Sequence, residues 1–244
     1  MRALITGASS GIGAATARAF AIAGFDIALV ARSQDRLDAL AAELSALGVK
    51  VESFAIDLAD VERVKERIED VTAAFGPINV LVNNAGIGYT GALCDMPLSD
   101  WQQVMTLNVT SVFRVVQAVL PGMRAGNVGS NDEPNSGGTI VNIASIAAEQ
   151  SFPNWGAYGV SKAALVTLSD AIATEESVHG IRVVTISPGA VNTPIWETHT
   201  VNADFDRSAM LSAETVANTI LHTVQLPPTA VISHLTITPS QGAL

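Results

Sequence analysis

Tyr158 and Lys162 are the two residues of this chain whose types and spacing most directly suggest chemistry. The run from 155 to 177 is rich in alanine and leucine and is predicted to form one helix, on which residues four apart share a face. The phenol and the ammonium can therefore lie side by side, and a nearby cation favours the phenolate and lowers its pKa from about 10. The pair could act as a proton donor near neutral pH, although a chance pair on a solvated helix face has the same spacing.

The composition limits the kinds of protein this chain can be. It has 244 residues, of which 48% are hydrophobic and 15% charged, and this suits one domain with a large core and further burial in an oligomer. The net charge of −10 argues against a nucleic-acid or anionic-membrane partner. One cysteine, Cys94, excludes an intrachain disulfide, and four scattered histidines lack ligand spacing, so no metal site is expected. We find neither a signal peptide nor an apolar run of roughly 20 residues, which predicts a cytoplasmic protein.

Strand-like and helix-like segments alternate along the whole chain. Apolar strands are predicted at 3–5, 26–30, 51–56, 78–82, 139–144, 181–186 and 232–238. Helices are predicted at 14–23, 35–47, 60–75, 97–123 (one or two helices), 155–177 and 213–225. Such alternation implies parallel pairing with right-handed crossovers. We therefore predict an α/β fold, a doubly wound (Rossmann) parallel sheet of about seven strands with helices on both faces, in a single domain over residues 1–244.

Two segments fall outside this alternation. The polar, glycine-rich stretch from 125 to 138 is predicted to be a mobile loop. The stretch from 194 to 210 follows a strand end, on the side of the sheet where open α/β folds bind ligands, so either a substrate lid or an ordinary surface excursion would explain it. Its one basic residue, Arg207, is flanked by Asp204 and Asp206 and is expected to pair with them rather than with a substrate anion.

A glycine-rich turn lies between the first strand and the first helix. Its glycines are Gly7, Gly11 and Gly13. Strand, glycine-rich turn and helix together bring backbone N–H groups to a phosphate at a helix N-terminus, although glycines alone could mark only a turn. The second strand follows at the expected distance, and this favours cofactor binding.

The end of the second strand, residues 31–33 (Ala-Arg-Ser), bears on the choice of cofactor. In such folds this point lies beside the adenosine ribose, where an Asp or Glu selects NAD. Ala31 provides no carboxylate at this position, and the Arg32 guanidinium could bind a 2′-phosphate through paired N–H donors. Alternatively, Arg32 is solvated and pairs with Asp35 or Glu43. We predict NADP(H) in preference to NAD(H).

In this order, the motifs resemble those of the short-chain dehydrogenase/reductase family, in its compact single-domain branch, over nearly the whole chain. Thr6-Gly-x-x-x-Gly-Ile-Gly13 is similar to the family's cofactor turn, and residues 83–86 (Asn-Asn-Ala-Gly) to its sheet-stabilising motif. Residues 188–189 and 193–194 are similar to its nicotinamide-side motif. There are two departures: Asn79 stands where the family often has Asp, and the loop at 125–138 is longer than usual.

The resemblance implies a mechanism and a set of site residues. A bound NAD(P)H would deliver hydride to a carbonyl carbon, Tyr158 would protonate the developing alkoxide, and Ser145 would polarise the carbonyl. Lys162 would lower the tyrosine pKa and hold the cofactor ribose, and Asn108 would position a water for proton relay. The residues implied to bind the cofactor are Gly7, Ser9, Ser10, Gly11, Ile12, Gly13, Arg32, Asp57, Leu58, Asn84, Ala85, Gly86, Tyr158, Lys162, Pro188, Gly189, Val191 and Thr193.

The substrate is indicated only by the mostly apolar residues that flank the inferred site, chiefly Ile146, Phe152, Trp155, Ile195 and Trp196. They favour a small to medium apolar ketone or secondary alcohol. The family also includes 3-oxoacyl-(acyl carrier protein) reductases, but docking of an acidic carrier is less natural for an acidic chain. A third possibility is a non-catalytic NADP(H)-sensing module, which would have little reason to keep Tyr158, Lys162 and Ser145 together.

The helices predicted at 97–123 and 155–177 are apolar or small on most sides. A helix that is apolar all round is normally buried all round. The family usually pairs these two helices between subunits. We therefore predict a homo-oligomer, with a tetramer favoured over a dimer.

Overall fold

The protein forms a single parallel β-sheet. The structure, a computed structural model, describes residues 1–125, 137–201 and 206–242. Its strands are β1 (Arg2–Thr6), β2 (Asp26–Ala31), β3 (Val51–Ala55), β4 (Val80–Asn83), β5 (Thr139–Ile143), β6 (Arg182–Pro188) and β7 (His234–Ile237). They lie in the order β3-β2-β1-β4-β5-β6-β7, and every neighbouring pair is parallel. The predicted doubly wound sheet is confirmed.

Helices cover both faces of this sheet. They are α1 (Gly11–Ile22), α2 (Gln34–Ser45), α3 (Val61–Phe75), α4 (Leu98–Met105), α5 (Ser111–Ala125), α6 (Gly156–Glu176) and α7 (Ala213–Val224). One core cluster joins the sheet to α1, α2 and α7, and a second joins it to α3, α5 and α6. Central strands such as β4 are buried along their length, because apolar residues on both of their faces meet helices.

The segment predicted as one or two helices from 97 to 123 consists of α4 and α5 joined by a π-helical turn, Thr106–Thr110. A π-turn is one residue wider than an α-turn and is frequent at functional sites. The fully buried Asn108 lies in it. The loop predicted at 125–138 falls largely outside the described residues.

By length and composition alone, the stretch from 98 to 125 could cross a membrane, contrary to the expectation that no such run exists. In the fold, Val112, Val115 and Val119 of this stretch are buried in the core beside α3 and α6. Its apolar character therefore serves the packing of α5 on the sheet.

Asn79, which stands where the family often has Asp, joins the amino ends of three strands. Its Oδ1 accepts from the Arg2 backbone N–H at 2.7 Å, and its own N–H donates to Arg2 O at 2.9 Å. Its carbonyl accepts from the Thr139 N–H at 2.8 Å. A neutral amide oxygen thus accepts the hydrogen bond from β1.

Candidate active site

A cleft of about 1480 Å³ lies along the carboxyl ends of the strands. Parallel α/β sheets bind ligands at this edge, because the strand ends and the loops after them converge there. Nearly all the residues predicted for the site line it: Gly7, Ser9, Ser10, Gly11, Ile12, Arg32, Asp57, Leu58, Asn84, Ala85, Gly86, Ser145, Ile146, Phe152, Trp155, Tyr158, Lys162, Pro188, Gly189, Val191, Thr193, Ile195 and Trp196. Of the predicted residues, Gly13 and Asn108 lie behind this lining.

Close backbone packing holds the glycine turn between β1 and α1. Gly7 has a φ of +65°, a conformation that favours glycine. A Cβ on Gly13 would lie 2.4 Å from Gly7 O and 2.6 Å from Asn84 Nδ2, so only glycine fits there. Asn84 Nδ2 donates to Thr6 O at 3.0 Å and fixes the turn to the end of β4. Ser9 to Ile12 line the cleft where α1 begins, which suits a phosphate group.

Two arginines line the cleft where β2 passes into α2. Arg32 lies just after the strand, and Arg36 lies one helical turn further on. Within the described residues neither forms an ion pair, and Glu43 is bound instead by Arg18 at 2.7 Å. The alternative in which Arg32 pairs with Asp35 or Glu43 is therefore not found. Arg36 was not predicted from the sequence, although its spacing of four from Arg32 places both side chains on one side of the chain.

Tyr158 and Lys162 share a face of α6, as their spacing predicts. Lys162 Nζ lies 5.5 Å from the centre of the Tyr158 ring. The lysine is only 4% exposed and donates to Ile143 O, at the end of β5, at 2.7 Å. Ser145 follows β5 two residues later; its hydroxyl hydrogen-bonds the Tyr158 hydroxyl and accepts from Ala147 N at 3.1 Å.

Burial dominates the electrostatics of this pair. It raises the pKa of Tyr158 to about 12, and the hydrogen bond with Ser145 opposes this rise. It also lowers the pKa of Lys162 to about 8. The expectation that Lys162 lowers the Tyr158 pKa is wrong for this structure, because the ammonium is directed at the Ile143 carbonyl and is itself disfavoured by burial. The arrangement can hold a proton on the phenol and present two hydroxyls to one oxygen atom.

Asn108 binds the chain just after the Asn-Asn-Ala-Gly motif. Its Oδ1 accepts from Ile87 N at 2.8 Å, and its Nδ2 donates to Ile87 O and to Ser161 Oγ, both at 2.9 Å. A Cβ on Gly86 would lie 3.2 Å from Asn108 Oδ1 and 3.5 Å from Lys162 Nζ. The strand end, the π-turn and α6 therefore meet closely behind the cleft.

Aromatic rings form the wall beside Tyr158. The Trp155 ring meets the Tyr158 ring edge-on with centroids 5.2 Å apart, and meets the Trp196 ring in the same way at 5.6 Å. Trp196 Nε1 donates to Val191 O at 2.8 Å. These rings, with Ile146, Phe152 and Ile195, make this part of the cleft apolar.

Arg207 holds the segment that was predicted to be a lid. Its guanidinium donates to Glu197 Oε1 at 2.6 Å, to Asn192 Oδ1 at 2.8 Å and to Thr193 O at 3.2 Å. These bonds connect a short 3₁₀ turn, Arg207–Ala209, with a second one, Pro194–Glu197, that carries Trp196. The segment is thus joined to the end of β6.

The prediction that Arg207 pairs with Asp206 is wrong. The Asp206 carboxylate accepts instead from the backbone N–H of Ser208 at 2.9 Å and from its hydroxyl at 2.7 Å. An aspartate that caps a turn in this way turns back on its own backbone, away from the neighbouring arginine. Asp204 lies outside the described residues.

One polar face of α4 and the turn after it was not anticipated. Ser99, Gln102, Gln103 and Thr106 all line the cleft. Their spacing of three and four is helical, so a polar stripe in the predicted helix was the available signal. Tyr89 does not line the cleft but donates from its hydroxyl to Gln103 Oε1 at 2.9 Å.

The comparisons with known proteins agree with this geometry. The family model described as short chain dehydrogenase matches residues 1–203. Sulfoacetaldehyde reductase 2 of Chromohalobacter salexigens is 33% identical over 98% of this chain and 94% of its own length. A 3-oxoacyl-(acyl-carrier-protein) reductase of Thermotoga maritima is 37% identical over 80% of this chain and 75% of its own.

A solved structure extends the likeness to the whole fold. L-Sorbose reductase from Gluconobacter frateurii, complexed with NADPH and L-sorbose, superposes with a TM-score of 0.85 at 34% identity and covers 98% of this chain and 95% of that chain. The match of the family model and the similarity of these relatives, added to the parallel sheet and its cleft, lead to one conclusion. The chain belongs to the short chain dehydrogenase family of oxidoreductases.

Proposed function

We propose that the protein is an NADP(H)-dependent oxidoreductase acting on the carbonyl or secondary-alcohol carbon of a small to medium, uncharged and largely apolar substrate. One observation carries this proposal. Ser145, Tyr158 and Lys162 lie together in a cleft that also contains the tight glycine turn and two arginines that form no ion pair within the described residues.

The residues present fit a dinucleotide. The close approach of Gly13 to Gly7 O leaves the backbone at the start of α1 open to a pyrophosphate. Lys162 and the chain from Asn84 to Gly86 line the middle of the cleft, where they would hold the ribose and nicotinamide side. When bound, the nicotinamide supplies or accepts the hydride.

In the direction of reduction, Tyr158 gives its proton to the developing alkoxide. A phenol with a pKa of about 12 keeps its proton at neutral pH, so it is ready to donate. Ser145 hydrogen-bonds the same oxygen and stabilises its charge. Lys162, with its pKa lowered to about 8, exchanges protons close to physiological pH. Asn108 keeps the role of positioning a water between Lys162 and solvent.

Three features support NADP(H) in preference to NAD(H). Ala31 leaves no carboxylate to repel a 2′-phosphate at the end of β2. Arg32 and Arg36 line that end of the cleft and form no ion pair within the described residues. The related L-sorbose reductase structure contains NADPH.

The aromatic wall supports an uncharged substrate. In the described lining, the charged side chains are Arg32, Arg36, Asp57 and Lys162; the first three lie at the β2–β3 end, and the Lys162 ammonium donates to the Ile143 carbonyl. A sulfonate or carboxylate would be bound there without a counter-ion, at a desolvation cost. We infer that residues 194–210 act as the lid over this wall in the single domain.

Two alternatives remain. The relative from Thermotoga maritima favours a 3-oxoacyl-(acyl carrier protein) reductase, but the net charge of −10 opposes docking of an acidic carrier. A non-catalytic NADP(H) sensor would bind the cofactor without turnover, and burying the Lys162 ammonium would bring it no benefit.

A panel assay tests the proposal. The purified protein is mixed with NADPH and with neutral ketones, 2-oxo acids or an acyl-carrier thioester, and the absorbance of reduced cofactor is followed. We expect turnover of neutral ketones at the highest kcat/KM. Preferred turnover of the thioester would support the first alternative. Binding of NADPH without turnover of any carbonyl compound would support the second.

We also infer a cytoplasmic homo-oligomer, with a tetramer favoured over a dimer. Phe113 on α5 is 43% exposed and Val160 on α6 is 45% exposed, so apolar side chains remain on the outer faces of the two helices. Sedimentation at micromolar concentration tests the assembly, and a monomer would contradict it. Cell fractionation tests the location.

A further inference from the structure

Ser161 lies between Tyr158 and Lys162 in sequence, yet its side chain faces away from the cleft. It is fully buried. Its hydroxyl donates to the backbone carbonyl of Tyr158 at 2.7 Å, and it accepts from Asn108 Nδ2 at 2.9 Å. One hydroxyl therefore connects the first turn of α6 to the π-turn.

The two bonds of Ser161 fix the orientation of the Asn108 amide. A carbonyl oxygen can only accept, so the single hydroxyl proton of Ser161 is committed to Tyr158 O. Towards Asn108 the hydroxyl can then only accept, and this requires the amide nitrogen on that side. The Asn108 oxygen consequently faces the Ile87 N–H, which can only donate. A flipped amide would oppose two acceptors at Ser161 and two donors at Ile87.

This oriented amide fills the space between the end of β4 and α6. Asn108 hydrogen-bonds both the N–H and the carbonyl of Ile87. A Cβ built on Gly86 would lie close to both Asn108 Oδ1 and Lys162 Nζ, so these two groups pack against the same glycine. Gly86 and Ile87 line the cleft. The position of Asn108 therefore bears on the backbone beneath the cofactor and on the lysine.

We propose that Ser161 is a positioning residue which, through Asn108, holds Tyr158 and Lys162 in place against the end of β4. This inference rests on the proposed function, in which Tyr158 and Lys162 handle the proton. Ser161 does not line the cleft, so its loss should lower kcat by a larger factor than it weakens cofactor binding.

The same helix contains a matched control. Ser169 lies eight residues further along α6 and is also buried. Its hydroxyl donates to Leu165 O at 2.7 Å and accepts from Asn142 Nδ2 at 2.8 Å, so, like Ser161, it joins a carbonyl of the preceding turn to an asparagine amide. Neither Ser169 nor Asn142 lines the cleft. Ser169→Ala therefore measures what the loss of such a hydroxyl does to the fold alone.

The experiment compares Ser161→Ala with Ser169→Ala in the full-length protein. Leaving a buried polar partner unsatisfied costs about 1–3 kcal/mol, which corresponds to roughly 5- to 150-fold in rate if the positioned site bears the cost. We expect Ser161→Ala to lower kcat within that range and to raise the KM for NADPH by a smaller factor. We expect Ser169→Ala to leave kcat within about twofold, with a similar fall in Tm.

Two further measurements separate positioning from general damage. If Ser161 acts through Asn108, the serine change should have little further effect on kcat in an Asn108→Ala background. Independent effects of the two changes, or equal kcat losses in the two serine variants, would overturn the proposal. Ser161→Thr restores a hydroxyl that can bond the i−3 carbonyl and should recover part of the kcat.

A readout that does not depend on turnover keeps this inference apart from the proposed function. The chain has two tyrosines, Tyr89 and Tyr158, so ¹³C-labelled tyrosine gives two ring signals that Tyr89→Phe assigns. Ser161→Ala should shift or broaden the Tyr158 signal, and Ser169→Ala should leave it in place. An unchanged Tyr158 signal would contradict the positioning role. Failure of every carbonyl substrate with the native protein would contradict the proposed function instead.

Discussion

The two ends of the cleft are built in different ways. At the end near β2, the closely packed glycine turn and the guanidinium groups of Arg32 and Arg36 make a polar surface from residues close together in sequence, and neither arginine forms an ion pair in the described part of the chain. At the other end, Trp155 and Trp196 come from segments 41 residues apart and make an apolar wall beside Tyr158. The first end is suited to a charged, constant part of a ligand, and the second to a neutral, variable part.

The largest effect should follow from removing the phenol at the apolar end. General acid catalysis contributes typically about 10²–10⁴-fold, and we expect Tyr158→Phe to lower kcat by at least about this factor while the Kd for NADPH changes little. Tyr89→Phe is the control, since its hydroxyl bonds only Gln103 among the described contacts. Steady-state kinetics and cofactor fluorescence measure both quantities. Near-native turnover of Tyr158→Phe would remove this residue from the proposed mechanism.

A smaller effect is expected at the polar end. A hydrogen bond to a charged group contributes about 1.5–3 kcal/mol, or roughly 10- to 150-fold in affinity. We therefore expect Arg32→Ala to weaken the binding of NADPH by this factor and the binding of NADH much less. Ala31→Asp together with Arg32→Ala should reverse the cofactor preference. Arg18→Ala is the control, because Arg18 is paired with Glu43 outside the cleft. Equal kcat/KM of the native protein with both cofactors would refute the assignment.

The pH profile joins the two ends, because Lys162 lies between them. With its pKa lowered to about 8 by burial, Lys162 is mostly protonated below pH 8 and mostly neutral above it. Tyr158 stays protonated to about pH 12, so the deprotonation of Lys162 should determine the pH above which activity falls. We expect kcat/KM for NADPH in reduction to fall by about tenfold per pH unit above 8. A flat profile from pH 8 to 10 would contradict this.

The same lysine should affect stability in a defined direction. Its folded-state pKa of about 8 lies below the ordinary value of 10.5, so between these values the unfolded chain binds more protons than the folded protein. The destabilisation from burying the ammonium is therefore full below pH 8 and disappears as the pH rises through this window. Through Lys162, the urea midpoint of the native protein should be higher at pH 9.5 than at pH 7. In Lys162→Met this difference between the two midpoints should become smaller.

The smallest effect concerns the aromatic wall. An aromatic pair contributes about 0.5–1.5 kcal/mol beyond the area it buries, so Trp196→Ala should lower kcat/KM for an apolar ketone by roughly 2- to 12-fold. The Kd for NADPH should not change. Trp101→Ala is the control, since Trp101 lies outside this cleft. Equal losses in both variants would show that Trp196 is not specific to substrate binding.

The features that could be predicted from the sequence depend on residues close together in the chain, and those that could not depend on contacts between distant segments. The strands, the glycine turn and the Tyr158–Lys162 face were predictable, because each depends on residues within one or two turns of one another. The partner of Arg207 was not, since Glu197 and Asp206 are equally plausible acceptors until the 3₁₀ turns are formed. The shift of the Tyr158 pKa was not either, since burial at the end of β5 is a property of the assembled sheet.

The π-turn had no signal in the sequence that we could read. Its residues, Thr-Leu-Asn-Val-Thr, are compatible with an ordinary α-helix, and intrinsic helix propensities do not distinguish an α-turn from a π-turn. Its geometry allows Asn108 to hydrogen-bond Ile87 and Ser161 at the same time. Both bonds join segments that are distant in the sequence.

The number of residues in this turn matters for the structure as much as their types do. Thr106–Thr110 behaves as a helix with one inserted residue, and each residue of an α-helix advances the following ones by about 100°. The wider π-turn absorbs that advance, so a single-residue deletion within it would restore an ordinary helix and leave Val115 and Val119 in the core, but would move Asn108 away from Ile87 and Ser161. A gap of one codon in this turn would therefore remove the Asn108 bridge between β4 and α6, while the core beneath α5 would survive.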